Sequence, residues 1–553
     1  MRHVAGKCIL LAILAVLSSG PVYAQATHAR TTGEITVDPQ DAVNEQFQGV
    51  GFHVFCHLHE MTQRQVNRVF AKRWRELNPA FARVTHVWNW DLKNVLPHLR
   101  RMQRTDTEVY LTTWNPKDTK PGEARADYAQ RVVEVIERLV RQENLSNIEY
   151  YCMTNELSLN GWASMKDNLP KFRDYHRHIY DELQRRKLDV GLLATDASPI
   201  GNWSTIQWAA DNMDEITAVY GGHHYINNHG LDDLNFYPWF LKKVKWGTSI
   251  ARGKDKPFIV GEFGPKQHRG ARYGYDRWDG CYYWNRPSEP LVGIQVAEAI
   301  IAMINGGVRG MSYWTFADFP DDYRKTYANK WGVFRWSGND HSTRAHYYAV
   351  GLLTRFFRGP ATACRVESPD ELLRAAAVRR TKDGAWSIAV VNRHETPSEV
   401  NVRIPGLRGN PAFRKYVYNP RDIPFHPYGD LQPPQKKVTV REGTLSDTIS
   451  GQSLVVYTTA FDRNPPGRIT GLKVQSEGKG ANRLTWNPSR AEDFCYYRVY
   501  RSTTSRFPTT VEKQIGSTVA EHFVDENAEA DADYYYCVVA VDQSGNAGKR
   551  SKQ

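Results

Sequence analysis

The chain has 553 residues, of which 41% are hydrophobic and 24% charged, a globular balance with length for two to four domains of roughly 100–200 residues each. That excludes a disordered or fibrous chain and a small disulfide scaffold. Aromatic residues reach 12% and the formal charge is +12; the first suits core packing and stacking on planar ligands, the second suits acidic partners and says nothing of fold.

At the N-terminus, basic Arg2 and Lys7 flank the start of an apolar run from Ile9 to Leu17, and Pro21-Val22-Tyr23-Ala24 offers small or apolar residues at −3 and −1. Residues 1–24 therefore read as a signal peptide cleaved after Ala24, with the mature protein secreted or periplasmic. No later run approaches the ~20 apolar residues of a bilayer span, so no membrane span is expected. Loss of Arg2 and Lys7 takes the charge from +12 to +10. Cys8 leaves with the signal. The remaining Cys56, Cys152, Cys281, Cys364, Cys495 and Cys537 are too scattered for a disulfide framework, and no CxxC pair suggests structural zinc.

From Val50 to about Phe357, β-rich runs alternate with amphipathic segments through eight cycles. Strands are predicted at Val50–Cys56, Ala82–Val87, Val109–Thr113, Ile148–Met153, Gly191–Thr195, Ile216–Tyr220, Phe258–Glu262 and Gly310–Trp314. Helices between them include Tyr128–Arg141, with Val132, Val135, Ile136 and Leu139 on one face, and Val292–Ile304, stopped by Asn305-Gly306-Gly307; His341–Phe357 closes the last cycle. Eight strand–helix units predict an α/β fold of the (β/α)8 TIM barrel type over residues 34–358, with its active site at the C-terminal strand ends. A doubly wound sheet is the alternative, but no Gly-rich phosphate fingerprint follows the first strand.

After Gly359-Pro360 the helices cease. Alternating runs at Leu372–Val378, Ala385–Val391, Val400–Ile404, Lys415–Tyr418, Lys437–Val440 and Ser453–Thr458 predict an antiparallel β-sandwich over residues 359–462, to which the strand-like Glu34–Val37 adds. Asn464-Pro465-Pro466-Gly467 reads as a stiff linker. Residues 468–550, with Leu484-Thr485-Trp486, Tyr497–Arg501, Tyr534–Val541 and Asp542-Gln543-Ser544-Gly545-Asn546, resemble a fibronectin type III domain. The resemblance puts Cys495 and Cys537 on neighbouring strands, leaving a disulfide between them open, and implies a spacer without chemistry.

Strand four runs into Thr154-Asn155-Glu156 and strand seven ends in Gly261-Glu262-Phe263-Gly264, so two carboxylates meet over one barrel mouth. Glycoside hydrolysis needs such a pair: an acid for the leaving oxygen and a carboxylate that attacks the anomeric carbon. Further strand ends carry Arg83 in Phe81-Ala82-Arg83-Val84, the run His223-His224-Tyr225 after strand six, and Tyr313-Trp314 on strand eight. Across the barrel the sequence resembles clan A of the glycoside hydrolases, in a layout like families 39, 5 and 30. Leu157 stands where a Pro often follows the strand-four Glu, and the family stays open.

The resemblance implies a retaining enzyme with Glu156 as acid/base and Glu262 as nucleophile. Arg83 and Tyr225, in the His-x-Tyr pattern with His223, would hold Glu262 ionised, whose charge would in turn keep Glu156 protonated until the glycosyl-enzyme forms. Asn155 would bind the sugar 2-hydroxyl and Trp314 would stack beneath the ring. No cofactor or metal is implied. The loop from Lys266 to Arg286 carries Lys266, Arg269, Arg272, Arg277 and Arg286 against Asp276 and Asp279, among Tyr273, Tyr275, Trp278, Tyr282, Tyr283 and Trp284. The next adds Arg324, Lys325, Lys330, Trp331, Arg335 and Trp336. This chemistry suits a carbohydrate substrate of anionic character, since Arg binds carboxylate or sulfate bidentately, and nothing resembles a nucleic-acid module. Two alternatives stand beside it. His57, His59, His224 and Asp318 partly mimic a metal-dependent amidohydrolase barrel, although its Lys on strand four and His on strand five are replaced by Asn155-Glu156 and Asp196. A carbohydrate-binding barrel without catalysis is the other, and the presence of both carboxylates argues against it.

Overall fold

The computed structural model describes residues 31–54, 61–85, 92–114, 119–157, 168–226, 230–265, 274–276, 281–283, 290–318, 331–335, 341–478, 480–529 and 532–552. Eight parallel strands form the barrel: β1 (Thr31–Val54), β2 (Phe81–Thr85), β3 (Glu108–Thr112), β4 (Ile148–Cys152), β5 (Gly191–Ala197), β6 (Val219–Tyr225), β7 (Phe258–Gly264) and β8 (Gly310–Tyr313). Each pairs with the next, and β8 closes on β1 through Gly49–Phe52 against Gly310–Tyr313. The alternating helices are α1 (Ala71–Leu77), α2 (Leu92–Gln103), α3 (Arg125–Glu137), α4 (Leu169–Arg185), α5 (Ser204–Asn212), α6 (Phe236–Arg252), α7 (Val292–Gly306) and α8 (Ala345–Phe356). Inside the barrel, Phe81, Tyr110, Cys152, Leu193, Val219 and Ile259 pack into a plug below the mouth, so the interior is filled and the chemistry is confined to its upper end.

Strand β6 begins and ends later than its hydrophobic run suggests. Asp214–Ile216 form a 3-10 turn, and the strand continues through Gly221-Gly222 to Tyr225. A Cβ on Gly222 would stand 2.5 Å from Trp203 Nε1, so the glycine marks a close approach within the strand rather than its end. His223 and Tyr225 consequently lie on the strand itself, where alternation sends them to one face and His224 to the other.

Helix α7 is buried along nearly its whole surface, as its apolar composition demands. Ile294, Ile300, Ile301 and Ile304 have no exposed surface, each worth about 1.5–3 kcal/mol relative to exposure. Gly307, at φ 88°, supplies the left-handed cap that ends it.

The second sheet region comprises β9 (Arg358–Glu367), β10 (Leu373–Arg380), β11 (Trp386–Asn392), β12 (Ser398–Arg403), β13 (Ala412–Tyr418), β14 (Lys436–Thr439), β15 (Thr444–Ile449) and β16 (Ser453–Thr458). Strand β1 serves both regions: Thr31–Thr36 pair with β12, and Thr36–Asp38 with β9. Beyond the linker, β17 (Lys473–Gly478), β18 (Ala481–Thr485) and β21 (His522–Asp525) form one antiparallel sheet; β20 (Gln514–Thr518), β19 (Phe494–Ser502) and β22 (Tyr535–Asp542) form another. They enclose a core that includes Leu484, Trp486, Tyr497, Val499 and Val538. Cys495 and Cys537 are both free and buried. Cys537 pairs with Tyr500 across β19 and β22, while Cys495 sits beside Tyr496, the partner of Val541, so the two thiols occupy different ends of the strand pair.

These C-terminal sheets are docked, not spaced away. Lys72 of α1 reaches Glu76 Oε2 at 2.5 Å and Asp430 Oδ1 at 2.6 Å, and Arg498 of β19 holds Asp430 Oδ2 at 2.8 Å. Leu431 N–H donates to Glu76 Oε1 at 2.9 Å, and the Lys72 ammonium lies 4.5 Å from the Tyr496 ring centroid. Barrel, second sheet region and C-terminal sheets therefore meet around Glu76 and Asp430, which Lys72 and Arg498 hold and near which Arg73 and His426 also lie.

Candidate active site

Every group at the mouth is delivered by the C-terminal part of a barrel strand or the residues just after it. Arg83, with no exposed surface, is the hub. Its Nε donates to the Tyr110 hydroxyl at 3.0 Å, Nη1 reaches Glu262 Oε1 at 2.5 Å and His53 Nδ1 at 3.1 Å, and Nη2 donates to Asn155 Oδ1 at 2.6 Å and Asp196 Oδ2 at 2.8 Å. A planar guanidinium with donors on three nitrogens suits this fork, which Lys could not replace. Tyr225 donates its hydroxyl to Glu262 Oε2. Burial pushes the Glu262 carboxyl above its ordinary pKa; His223, Arg83 and the Tyr225 hydrogen bond pull it back, and nearby Glu156 adds to the rise. The sequence expectation named the two donors and not this desolvation.

His223 lies between the carboxylates without exposed surface. Its Nδ1 stands 3.4 Å from Glu156 Oε1 and 3.5 Å from Glu262 Oε2, and its Nε2 makes a 2.7 Å ion pair with Asp196 Oδ1. Burial works against the charged ring, but Asp196 and then Glu262 outweigh it and push its pKa up to about 9. For Asp196, burial favours protonation, yet His223 and Arg83 hold the carboxyl down at about 2. An oxygen of Glu156, a nitrogen of His223 and an oxygen of Glu262 all fall within 4.8 Å of one another. A metal cation there would face the guanidinium and the imidazolium, so the charge pattern fits acid–base chemistry better than metal binding.

Glu156 at φ 54° and Asp196 at φ 58° occupy the left-handed region. That conformation costs a non-glycine residue about 1–3 kcal/mol and persists where surrounding contacts over-determine it. Asn155 has its carbonyl oxygen committed to Arg83, leaving Nδ2 as its other polar end. Trp314, 7% exposed, packs with Tyr225 and Trp331; its ring lies 4.4 Å from that of His53 and 5.6 Å, edge-on, from that of Trp331.

All seven residues singled out from sequence converge here. Three others emerge only from the structure: Asp196, Tyr110, whose hydroxyl donates to Asp196 Oδ1 at 2.6 Å, and His53. Asp196 stands at the C-terminal end of a barrel strand, the same signal that singles out Glu156 and Glu262. The metal-site mimic does not assemble among the described residues. Asp318 is bound by Arg344 at 2.7 Å with both side chains fully buried, and His224 turns outward against Trp239 and Phe240; His57 and His59 lie outside the described residues. Arg335 is buried and donates to Ser342 and Thr343, so its guanidinium is engaged within the fold. The side chains from Lys266 to Arg286, and Arg324, Lys325, Lys330 and Trp336, lie outside the described residues.

No family model and no curated protein matches the sequence. Among solved structures, the chain is similar to a bacterial orthologue of human α-L-iduronidase, with TM-score 0.58 and 15% identity over 95% of this chain and 99% of that one. The fold is that of glycoside hydrolases. The family 51 arabinofuranosidase from Xanthomonas axonopodis pv. citri aligns with TM-score 0.54 and 13% identity over 77% of this chain and 99% of its own. The family 30 subfamily 8 xylanase from Clostridium acetobutylicum does so with TM-score 0.53 and 12% identity over the same shares. No helix among the described residues is long and apolar enough to cross a membrane.

Proposed function

We propose that the protein is a secreted retaining O-glycoside hydrolase of clan A type, with its chemistry in the barrel (34–358), flanked by β-domains at 359–462 and 468–550. The observation that carries this reading is the approach of Glu156 and Glu262, with an oxygen of each within 4.8 Å at the barrel mouth. Retaining enzymes separate the two carboxyl groups by about 5–5.5 Å, inverting ones by about 6.5–9.5 Å to admit a water. A Glu262 oxygen attacks the anomeric carbon while the bond to the leaving oxygen breaks, its electron pair taking the Glu156 proton. Water then attacks that carbon, gives a proton to Glu156, and returns the ester electron pair to Glu262. Arg83 and Tyr225 orient the nucleophile, Asn155 offers Nδ2 to the sugar 2-hydroxyl, and Trp314 stacks beneath the sugar.

The substrate class this reading favours is an anionic glycan. It rests on the mature charge of +10, on the basic and aromatic loop Lys266–Arg286, and on likeness to an enzyme named for iduronide cleavage. Reducing-end release across neutral and acidic polysaccharides, with and without added salt, tests it. Activity is expected on a uronate- or sulfate-bearing glycan and should fall as salt rises; salt-insensitive cleavage confined to neutral glycans would contradict the anionic assignment.

A further inference from the structure

Asp196 has no place in the double displacement described above, yet it is one of the most completely buried charges in the molecule. It bridges Arg83 at 2.8 Å, Tyr110 at 2.6 Å and His223 at 2.7 Å. Gly261 clears the space for this last contact, because a Cβ there would come 2.8 Å from His223 Nε2 and 3.1 Å from Asp196 Oδ1. The groups facing His223 are Asp196 from β5, Glu262 from β7, Glu156 after β4 and Tyr225 from β6 itself; Arg83 from β2 and Tyr110 from β3 act through Asp196, and His53 from β1 through Arg83.

We propose that Asp196 is a positioning residue that fixes His223 as a cation between Glu156 and Glu262, and that this cation favours Glu156 as base once the Glu262 charge has been consumed. The inference rests on the glycosidase reading of the site. In the free enzyme, Arg83 and His223 are balanced by Asp196 and Glu262, so Glu156 keeps its proton. Attack on the sugar turns the Glu262 carboxylate into a neutral ester. Among the described residues Arg83 and His223 are then opposed by Asp196, which holds the far ring nitrogen, so Glu156, 3.4 Å from the near one, meets the imidazolium first and its carboxylate is favoured. That carboxylate takes the proton of the attacking water. With a neutral His223 the loss of the Glu262 charge would still favour the Glu156 carboxylate, but without the cation beside it Glu156 would start from, and stay at, a higher pKa in both states. The upward shift of His223 and the downward shift of Asp196 fit the same arrangement.

The test compares wild type with Asp196→Asn, His223→Gln and the double variant, on a nitrophenyl glycoside of the sugar that the enzyme releases. Asp196→Asn is expected to lower kcat at least about tenfold with a parallel fall in KM, as glycosyl-enzyme accumulates behind a pre-steady-state burst. The acid limb of kcat should move up by about one pH unit or more, a unit being a factor of ten in protonation. Adding Asp196→Asn to His223→Gln should raise that limb no further, because Asp196 acts on it through the imidazolium. Gly261→Ala, which separates the pair without removing a charge, should shift it in the same direction and guards against a misfolded Asp196 variant. Imidazole 15N spectra give a readout without turnover: His223 should remain doubly protonated at pH 8 in wild type and titrate lower in Asp196→Asn. Unchanged His223 titration, or equal losses in kcat and kcat/KM with no pH shift, would overturn the role of Asp196. Absence of cleavage of any glycoside by wild type would instead remove the glycosidase reading, while the spectra still decide the ion pair.

Discussion

Two buried charge clusters sit at opposite tasks in this molecule. In the interdomain clamp, Glu76 and Asp430 are held by Lys72 and Arg498, with Arg73 and His426 close enough to add to the field, and backbone donors and acceptors complete the set. At the barrel mouth, Arg83 and His223 face three carboxylates, Asp196, Glu262 and Glu156. A cluster in which every carboxylate has its cation is stable in one protonation state and has no proton to give. A cluster with one carboxylate in excess must hold a proton somewhere, and its position can change when one charge is consumed. The difference separates a fastening from a reaction centre, although both are built from the same residue types.

Their pH responses diverge accordingly. Burial tends to raise the Asp430 carboxyl, but Lys72 and Arg498 more than reverse this and hold it well below the usual range. Its contribution is therefore present above the unfolded value of about 3.9 and is lost as pH falls toward the depressed native value. His223, raised to about 9, contributes fully below its unfolded value of about 6.5 and loses that contribution as pH rises through 9. The clamp weakens in acid, whereas the mouth weakens in alkali through His223 and in strong acid through Asp196, held at about 2.

The sharpest way to separate the clusters is Glu262→Gln, which removes the attacking carboxylate and should lower turnover by about 10^4-fold or more at unchanged domain docking; initial rates on the released-sugar glycoside check it. Glu156→Ala should cost about 10^2–10^4-fold on substrates with poor leaving groups, much less on activated ones, and azide should restore rate by replacing water as acceptor. Azide-insensitive loss would remove Glu156 from the acid/base role. Asp430→Ala should do the reverse of both: about 3–5 kcal/mol of stability lost in urea unfolding, because Arg498 loses its carboxylate and buried Lys72 keeps only Glu76, with kcat of the folded fraction near wild type. A large kcat effect from Asp430→Ala would break the division between fastening and reaction centre.

Much of the barrel is legible in the sequence, because strands buried on both faces read as apolar runs and each is followed by a helical period. The exceptions have physical causes. Gly221-Gly222 interrupts the apolar run of β6 although Trp203 requires a glycine there. The first half of β1 adds to the second sheet region, so one strand serves two neighbours that local pattern treats separately. At the site, Glu156 and Glu262 stand out as a pair with a shared chemical task; Asp196 ends a strand as they do, but its task shows only with the partners brought from β2, β3 and β6. The clamp is invisible for a similar reason. Lys72, Glu76, Asp430 and Arg498 each look like ordinary surface charges until the three regions pack together.

The central claim is that Glu262 forms a covalent intermediate which water resolves with Glu156 as base. The most direct test is the anomeric configuration of the first-formed product, followed by proton NMR from the start of hydrolysis. The account predicts the configuration of the substrate, with the opposite anomer arising only by later mutarotation. An inverted first product would contradict it.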